Sequence, residues 1–328
     1  MNKRRQLIVA LGAGAILAPL ASLAQQQGKI PRIGFLSPFP TGSDSRFEVF
    51  KQQMRELGHV EGKTITIDYQ SAEGKYDRLP ALAAELVQRN VDVIMTAGGT
   101  PTVLAARNAT RTIPVVFAGV SNPVGQGIVA SLARPGGNVT GATNQSGDTV
   151  GKVIALFKEL VPSAKRVAVL SNPMNSSFPV EIKAMQAVAK TLRLEIAVVN
   201  AAAPAEFEKA FAEIVRERPA GLIILSDPMF ISAAARLTTL AARHRLPTVS
   251  GHNAFPENGG LMSYGANLSD VVRRSAVLVD KILKGAKPAD LPVEQPTQFE
   301  LIVNVKTAQA LGIKIPNSIL VQATRVIE

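Results

Sequence analysis

Beyond Ala24, short runs of β-branched and other apolar residues alternate with longer amphipathic stretches, and each apolar run stops at a small or turn-forming residue. That rhythm predicts parallel strands joined by helices that cover both faces of a sheet. Strands are expected at Arg32–Leu36, Thr64–Tyr69, Val91–Thr96 and Ile113–Ala118, with helices around Arg46–Leu57, Arg78–Gln88 and Thr102–Ala109. A second set follows, with strands at Val167–Leu170, Glu195–Val199, Gly221–Leu225 and Thr248–Ser250. Its helices are expected around Val180–Leu192, Glu206–Arg216 and Ser232–Arg243.

The two sets read as one unit written twice. IPRIGFLSPFP (30–40) parallels AKRVAVLSNPM (164–174), and VDVIMTAGGTP (91–101) parallels AGLIILSDPMF (220–230). The offset stays near 130 residues, too long for a solenoid repeat, so two similar α/β lobes are expected. A further strand and helix in 258–285, and another pair in 296–313, belong to neither set by pattern.

At 328 residues the chain has room for about two domains of ~150 residues. Hydrophobic residues at 46% against 19% charged exclude disorder for its bulk. Cysteine is absent, which removes disulfides, thiolate metal sites and cysteine nucleophiles. The net charge of +11 is partly local: Lys3, Arg4 and Arg5 precede an apolar run from Leu7 to Leu23 that ends in small residues. This is the three-part form of a secretory signal peptide, expected over residues 1–24 with cleavage after Ala24. Arg4-Arg5 is compatible with a twin-arginine as well as a Sec route. Removing those three charges from +11 leaves +8, dispersed without a basic run, so no nucleic-acid surface is expected.

Ligands of open α/β sheets sit beyond the carboxyl ends of the strands. The residues there include Ser37, Gly98, Thr100, Ser121, Asn122, Asn172, Asp227 and His252. Hydroxyls and amides before Pro are what helix N-termini use as caps, and each residue can be read that way. Several N-termini facing one crevice also form a site for an anion such as a carboxylate, and the glycines of TAGGTP let backbone approach it. Asp227, the acid among these loops, is either a partner for a ligand amino group or the N-cap of the helix after Pro228. Tyr264 either covers the ligand or packs at a hinge. His252 has no neighbouring nucleophile or paired acid, which makes it a contact and not a general base. Phosphate-loop, zinc-protease and nucleophile-elbow motifs are absent from the sequence, so neither an enzyme nor a resident metal or cofactor is expected.

Several phrases carry a family resemblance: RIGFLS (32–37), TAGGTP (96–101), LARPGGNVTG (132–141), GGLMSYG (259–265) and ILKGAKPADLPVEQPTQFEL (282–301). With them the chain resembles the periplasmic substrate-binding proteins of ABC transporters, in the tryptophan- and tyrosine-type group. The resemblance implies the type I periplasmic binding fold: two Rossmann-like lobes, a three-crossing hinge, and ligand contacts from the nine residues just named. It places the first lobe at 30–142 with 264–292, and the second at 143–263 with 293–328. Crossings are implied near Gly141–Asn144, Met262–Gly265 and Pro292–Pro296. The chain departs from its relatives in lacking Trp and in carrying SNP at 121–123 where many have Asp-Pro.

The expected function is therefore that of a monomeric periplasmic solute-binding component of an ABC uptake transporter. It would hold a small polar ligand, an amino acid or related carboxylate, by hinge closure and pass it to a permease driven by a separate ATPase. Two other classes remain open: a ligand sensor that docks on a membrane receptor, and an exported α/β enzyme. Neighbouring permease and ATPase genes would favour uptake over sensing. Turnover abolished at His252 or Asp227 would favour the enzyme.

Overall fold

The computed structural model describes residues 30–328 apart from Ser43; the leader expected over residues 1–24 lies outside the described residues. The first lobe is a five-stranded parallel sheet of β1 (Arg32–Ser37), β2 (Thr66–Ser71), β3 (Val93–Ala97), β4 (Val115–Val120) and β5 (Val139–Thr143) in the order β2-β1-β3-β4-β5. Both faces are covered, which is why its central strands are continuous apolar runs. Ile33, Phe35, Val93 and Met95 meet α1 (Ser45–Glu56) and α10 (Leu268–Leu283) through Phe50, Met54, Val272 and Val279. The alternate residues Leu36, Ile94, Val115 and Phe117 meet α2 (Leu79–Gln88) and α3 (Thr100–Ala109) through Leu86, Val103 and Ala106.

The second lobe is a seven-stranded sheet in the order β12-β11-β10-β9-β8-β6-β7. Its strands are β6 (Arg166–Ser171), β7 (Glu195–Asn200), β8 (Leu222–Ile224), β9 (Thr248–Ser250), β10 (Met262–Ala266), β11 (Phe299–Asn304) and β12 (Arg325–Ile327). All neighbours are parallel except β10 and β11. One face packs on α4 (Ser146–Leu160) and α5 (Phe178–Thr191), while the other packs on α6 (Phe207–Arg216), α7 (Pro228–Ser232), α8 (Ala234–Arg243) and α9 (Ala254–Glu257). Two short helices, α11 (Val305–Leu311) and α12 (Asn317–Gln322), lead to β12.

The duplication expected from the sequence runs one strand further than the pattern suggested. Strands β6 to β10 repeat the order of β1 to β5, so the segment containing β10, assigned by pattern to neither set, is the fifth strand of the second unit. After each fifth strand the chain changes lobes: β5 leads into α4 on the second lobe, and β10 leads into α10 on the first. Each lobe is thus finished by a helix that follows the other lobe's last repeated strand. The helix α4 is not among the expected helices: Gly147 and Gly151 interrupt its start, although Val150, Val153, Ile154, Phe157 and Leu160 repeat at helical spacing and are buried.

Tyr264–Ala266 pairs within the second sheet, so the second crossing follows Ala266, three residues beyond the boundary read from the sequence. For the third crossing the chain first runs beside β5. Glu294 donates its backbone N–H to the Gly141 carbonyl (2.9 Å), and Thr143 donates to the Glu294 carbonyl (2.9 Å). It then passes to β11. This connection is tied to α10 by Arg274, which reaches Glu294 (3.4 Å) and the Thr297 hydroxyl (2.9 Å). Together these elements form the two-lobe type I periplasmic binding fold.

Candidate functional site

The carboxyl ends of both sheets face one another, and between them lies a cavity of about 640 Å³ outside protein atoms, its mouth included. Helix starts supply most of its wall. Gly98, Gly99 and Thr100 open α3, Ser146 opens α4, Ser177 and Phe178 open α5, Ser226 and Pro228 flank the start of α7, and Leu268 opens α10. Backbone N–H groups unpaired at a helix start, with the helix dipole, favour an anionic group. At α3 the backbone is shaped for close approach: Gly98 and Gly99 have φ of +97° and +86°, and a Cβ on Gly98 would stand 2.3 Å from the Pro38 side chain. Only glycine fits there without strain.

Two ionisable side chains enter the wall from opposite lobes, and neither was singled out by the sequence. Arg46 comes from the first turn of α1. Its guanidinium lies 3.9 Å above the Phe39 ring, its Nη2 is 3.3 Å from His252 Nε2, and its Nη1 is 3.9 Å from Asp44. Burial lowers its pKa, with Asp44 opposing the shift, and an arginine so placed keeps its charge at neutral pH. Glu181 comes from α5 and is 5% exposed. It accepts from Ser146 Oγ (3.0 Å), and the Ser121 hydroxyl is a second partner. Burial pushes its pKa up to about 7, against the opposing effect of those hydroxyls. The signal for Glu181 was legible in principle: it shares the apolar stripe of Phe178, Met185 and Ala189, where a lone acid demands a reason.

Of the nine residues expected to touch ligand, Gly98, Thr100 and Ser121 line the cavity. The other six do not. Ser37 is fully buried, donating to Asp44 Oδ2 (2.5 Å) and accepting from the Phe39 backbone, so it fixes the loop before α1. Asn122 turns outward and accepts from the Gly125 backbone (2.8 Å). Asn172 gives its amide to Asp227 (3.2 Å).

Asp227 is fully buried with four donors on its carboxylate: the Met229 backbone (2.9 Å), Asn172, Asn175 Nδ2 (3.0 Å) and Tyr76 Oη (2.9 Å). It is the N-cap of α7, and nothing is left over for a ligand amine. Burial still raises its pKa, since desolvation exceeds what those bonds return. His252 faces a separate cleft beside the hinge with Ser45, Asn253 and Ser263, and accepts at Nδ1 from the Ala254 backbone (3.0 Å). Burial and the Arg46 charge depress its pKa to about 3, which keeps the ring neutral. Tyr264 stacks on Phe299 at 6.0 Å, in the hinge strands.

Three of these contacts cross between lobes, Tyr76 to Asp227, Arg46 to His252 and Ser121 to Glu181, so the structure is a closed form. Asn144 and Asn175 add carboxamides to the wall, and its apolar part is Phe39, Leu268, Val271 and Val272 from the first lobe with Phe178, Pro228 and Ile231 from the second. Among the described residues no group of three His, Cys, Asp or Glu is placed to hold a metal ion.

Comparison with known proteins gives concordant matches. The family described as ABC transporter substrate binding protein matches residues 41–327. A tyrosine-binding protein of Clostridioides difficile is 26% identical over 265 residues, 81% of this chain and 76% of its own length. Among solved structures, an ABC domain in complex with L-Trp from Streptococcus pneumonia superposes with a TM-score of 0.84 at 25% identity, covering 91% of this chain and all of the other. A ligand-free, open substrate-binding protein with adhesive properties from Clostridium difficile, also 25% identical, gives 0.65 over 91% of this chain and 99% of the other.

Proposed function

This chain belongs to the ABC transporter substrate-binding protein family, and from that premise we propose that it captures an α-amino acid with an apolar or aromatic side chain in the interlobe cavity for uptake through an ABC permease. The observation that carries the reading is the placement of Arg46 and Glu181 on opposite lobes of one cavity whose remaining side chains are uncharged: hydroxyls, the carboxamides of Asn144 and Asn175, and apolar groups. A ligand with one carboxylate, one ammonium and an apolar side chain would use each part of that wall. Its carboxylate would meet Arg46 and the N–H groups at the start of α3; its side chain would lie between Phe39 and Phe178. The chain has no Trp and no Asp-Pro at 121–123, which sets it apart from relatives in the tryptophan- and tyrosine-type group, but Phe39 and Phe178 bring two aromatic rings to the cavity wall.

Closure is the working step. Contacts from both lobes coexist only in the closed state, so ligand shifts the population toward it. In support, the L-Trp complex superposes better than the open protein although both are equally distant in sequence. Location outside the cytoplasmic membrane and release by a signal peptide ending at Ala24 belong to the same reading.

Thermal unfolding of the mature chain from Gln25, refolded to strip carried-over ligand and screened against amino acids, small carboxylates and sugars, tests it. At 100 times its dissociation constant a ligand adds ~2.7 kcal/mol, which moves Tm by several degrees. Selective shifts with apolar or aromatic amino acids are expected; shifts with sugars alone would overturn the assignment.

A further inference from the structure

We propose that Glu181 sets the specificity of this cavity for ligands bearing a protonated amine, a proposal that rests on the amino-acid reading above. Its carboxyl group is buried in the wall, yet its protein partners are the hydroxyls of Ser146 and Ser121. No cationic side chain among the described residues contributes to its electrostatics. Two hydroxyls do not compensate a carboxylate taken out of water, whereas an ammonium with three N–H donors does. Asp227, the acid at a strand end of the same lobe, already accepts from four donors. Glu181 is the acid with capacity to spare, and it faces the cavity that also holds Arg46.

The surroundings make the effect specific. The elements packed on the start of α5 present Thr149, Val150 and Val153 from α4 and Leu225 and Ser226 after β8, none of them titratable. Arg46 across the cavity and Asp148 in the outer groove are the charged residues that share its spaces. A carboxyl group raised to about 7 holds its proton in mildly acidic solution, and a ligand ammonium binds the ionised form. Binding therefore releases a proton as pH falls below 7, and affinity rises with pH up to about 7 and is level above it.

The test pairs each amino acid with its deaminated analogue: L-phenylalanine with hydrocinnamate, L-tyrosine with phloretate, L-tryptophan with indolepropionate and L-leucine with isocaproate. Binding is measured by calorimetry for the wild type, E181Q and E181D, with folding checked by circular dichroism. The wild type should prefer the amine-bearing member. In E181Q, whose amide keeps the hydroxyl contacts, amino-acid affinity should fall roughly 10- to 100-fold while analogue affinity does not fall and can rise, since no amine pairs with the carboxylate there. Equal loss of both partners, or none, overturns the proposal and leaves the amino-acid reading standing. A wild type that binds neither member of any pair overturns both. Should E181Q fail to fold, the wild-type pH profile decides: amino-acid affinity rising between about pH 5.5 and 7 with a flat analogue profile supports the proposal, and flat profiles for both overturn it.

Discussion

The acids Asp227 and Glu181 show how burial and partner count, not residue type, decide a role. Asp227 stood at a strand end before Pro, where capping and ligand binding predict the same letters; its four donors make it structural. Asp227→Ala should therefore destabilise the chain by roughly 2–4 kcal/mol, because it removes the α7 cap and leaves Asn172, Asn175 and Tyr76 with buried donors unmet. Thermal unfolding without added ligand checks this. An unchanged Tm with lost amino-acid binding would restore Asp227 to the ligand. What the sequence concealed at this scale is side-chain direction. Ser37 and Asn122 sit in the right loops but turn to their own backbone, while Arg46 reaches the cavity from a helix turn that carries no motif.

Strands and helices were largely legible, because parallel strands covered on both faces must be apolar throughout and their helices must be amphipathic. The helix α7, which matters for the site, was readable only through its cap, Asp227 before Pro228. It has only five residues, too few for a periodic signal, and its place is set by Asp227 and by the turn at Tyr76–Arg78 of the other lobe. That contact makes α7 part of the closure. Tyr76→Phe keeps the ring and removes the hydrogen bond, so it should weaken ligand affinity about fivefold, near 1 kcal/mol, with little change in unfolding of the ligand-free chain. Equal affinity for the two proteins in a calorimetric titration would show that the bond has no part in closing the lobes.

At the scale of the molecule, the duplicated strand order puts two sets of strand ends face to face, and the exchanged helices α4 and α10 couple each lobe to a crossing. The duplication was readable because both units keep the same order of apolar runs. The equivalence of β5 and β10 was not: VTGAT and MSYGA are short, rich in small residues and share no pattern. Such strands suit the hinge, where backbones approach closely and the chain must leave the sheet. The cavity is walled by both lobes, so on the proposed reading capture of a small ligand there changes the shape of the molecule. Small-angle X-ray scattering of the mature chain, stripped and then saturated with an amino acid shown to bind, measures that change directly. The radius of gyration should fall on saturation, and the saturated profile should match the one calculated from the closed structure. Identical profiles with and without bound amino acid would contradict capture by closure.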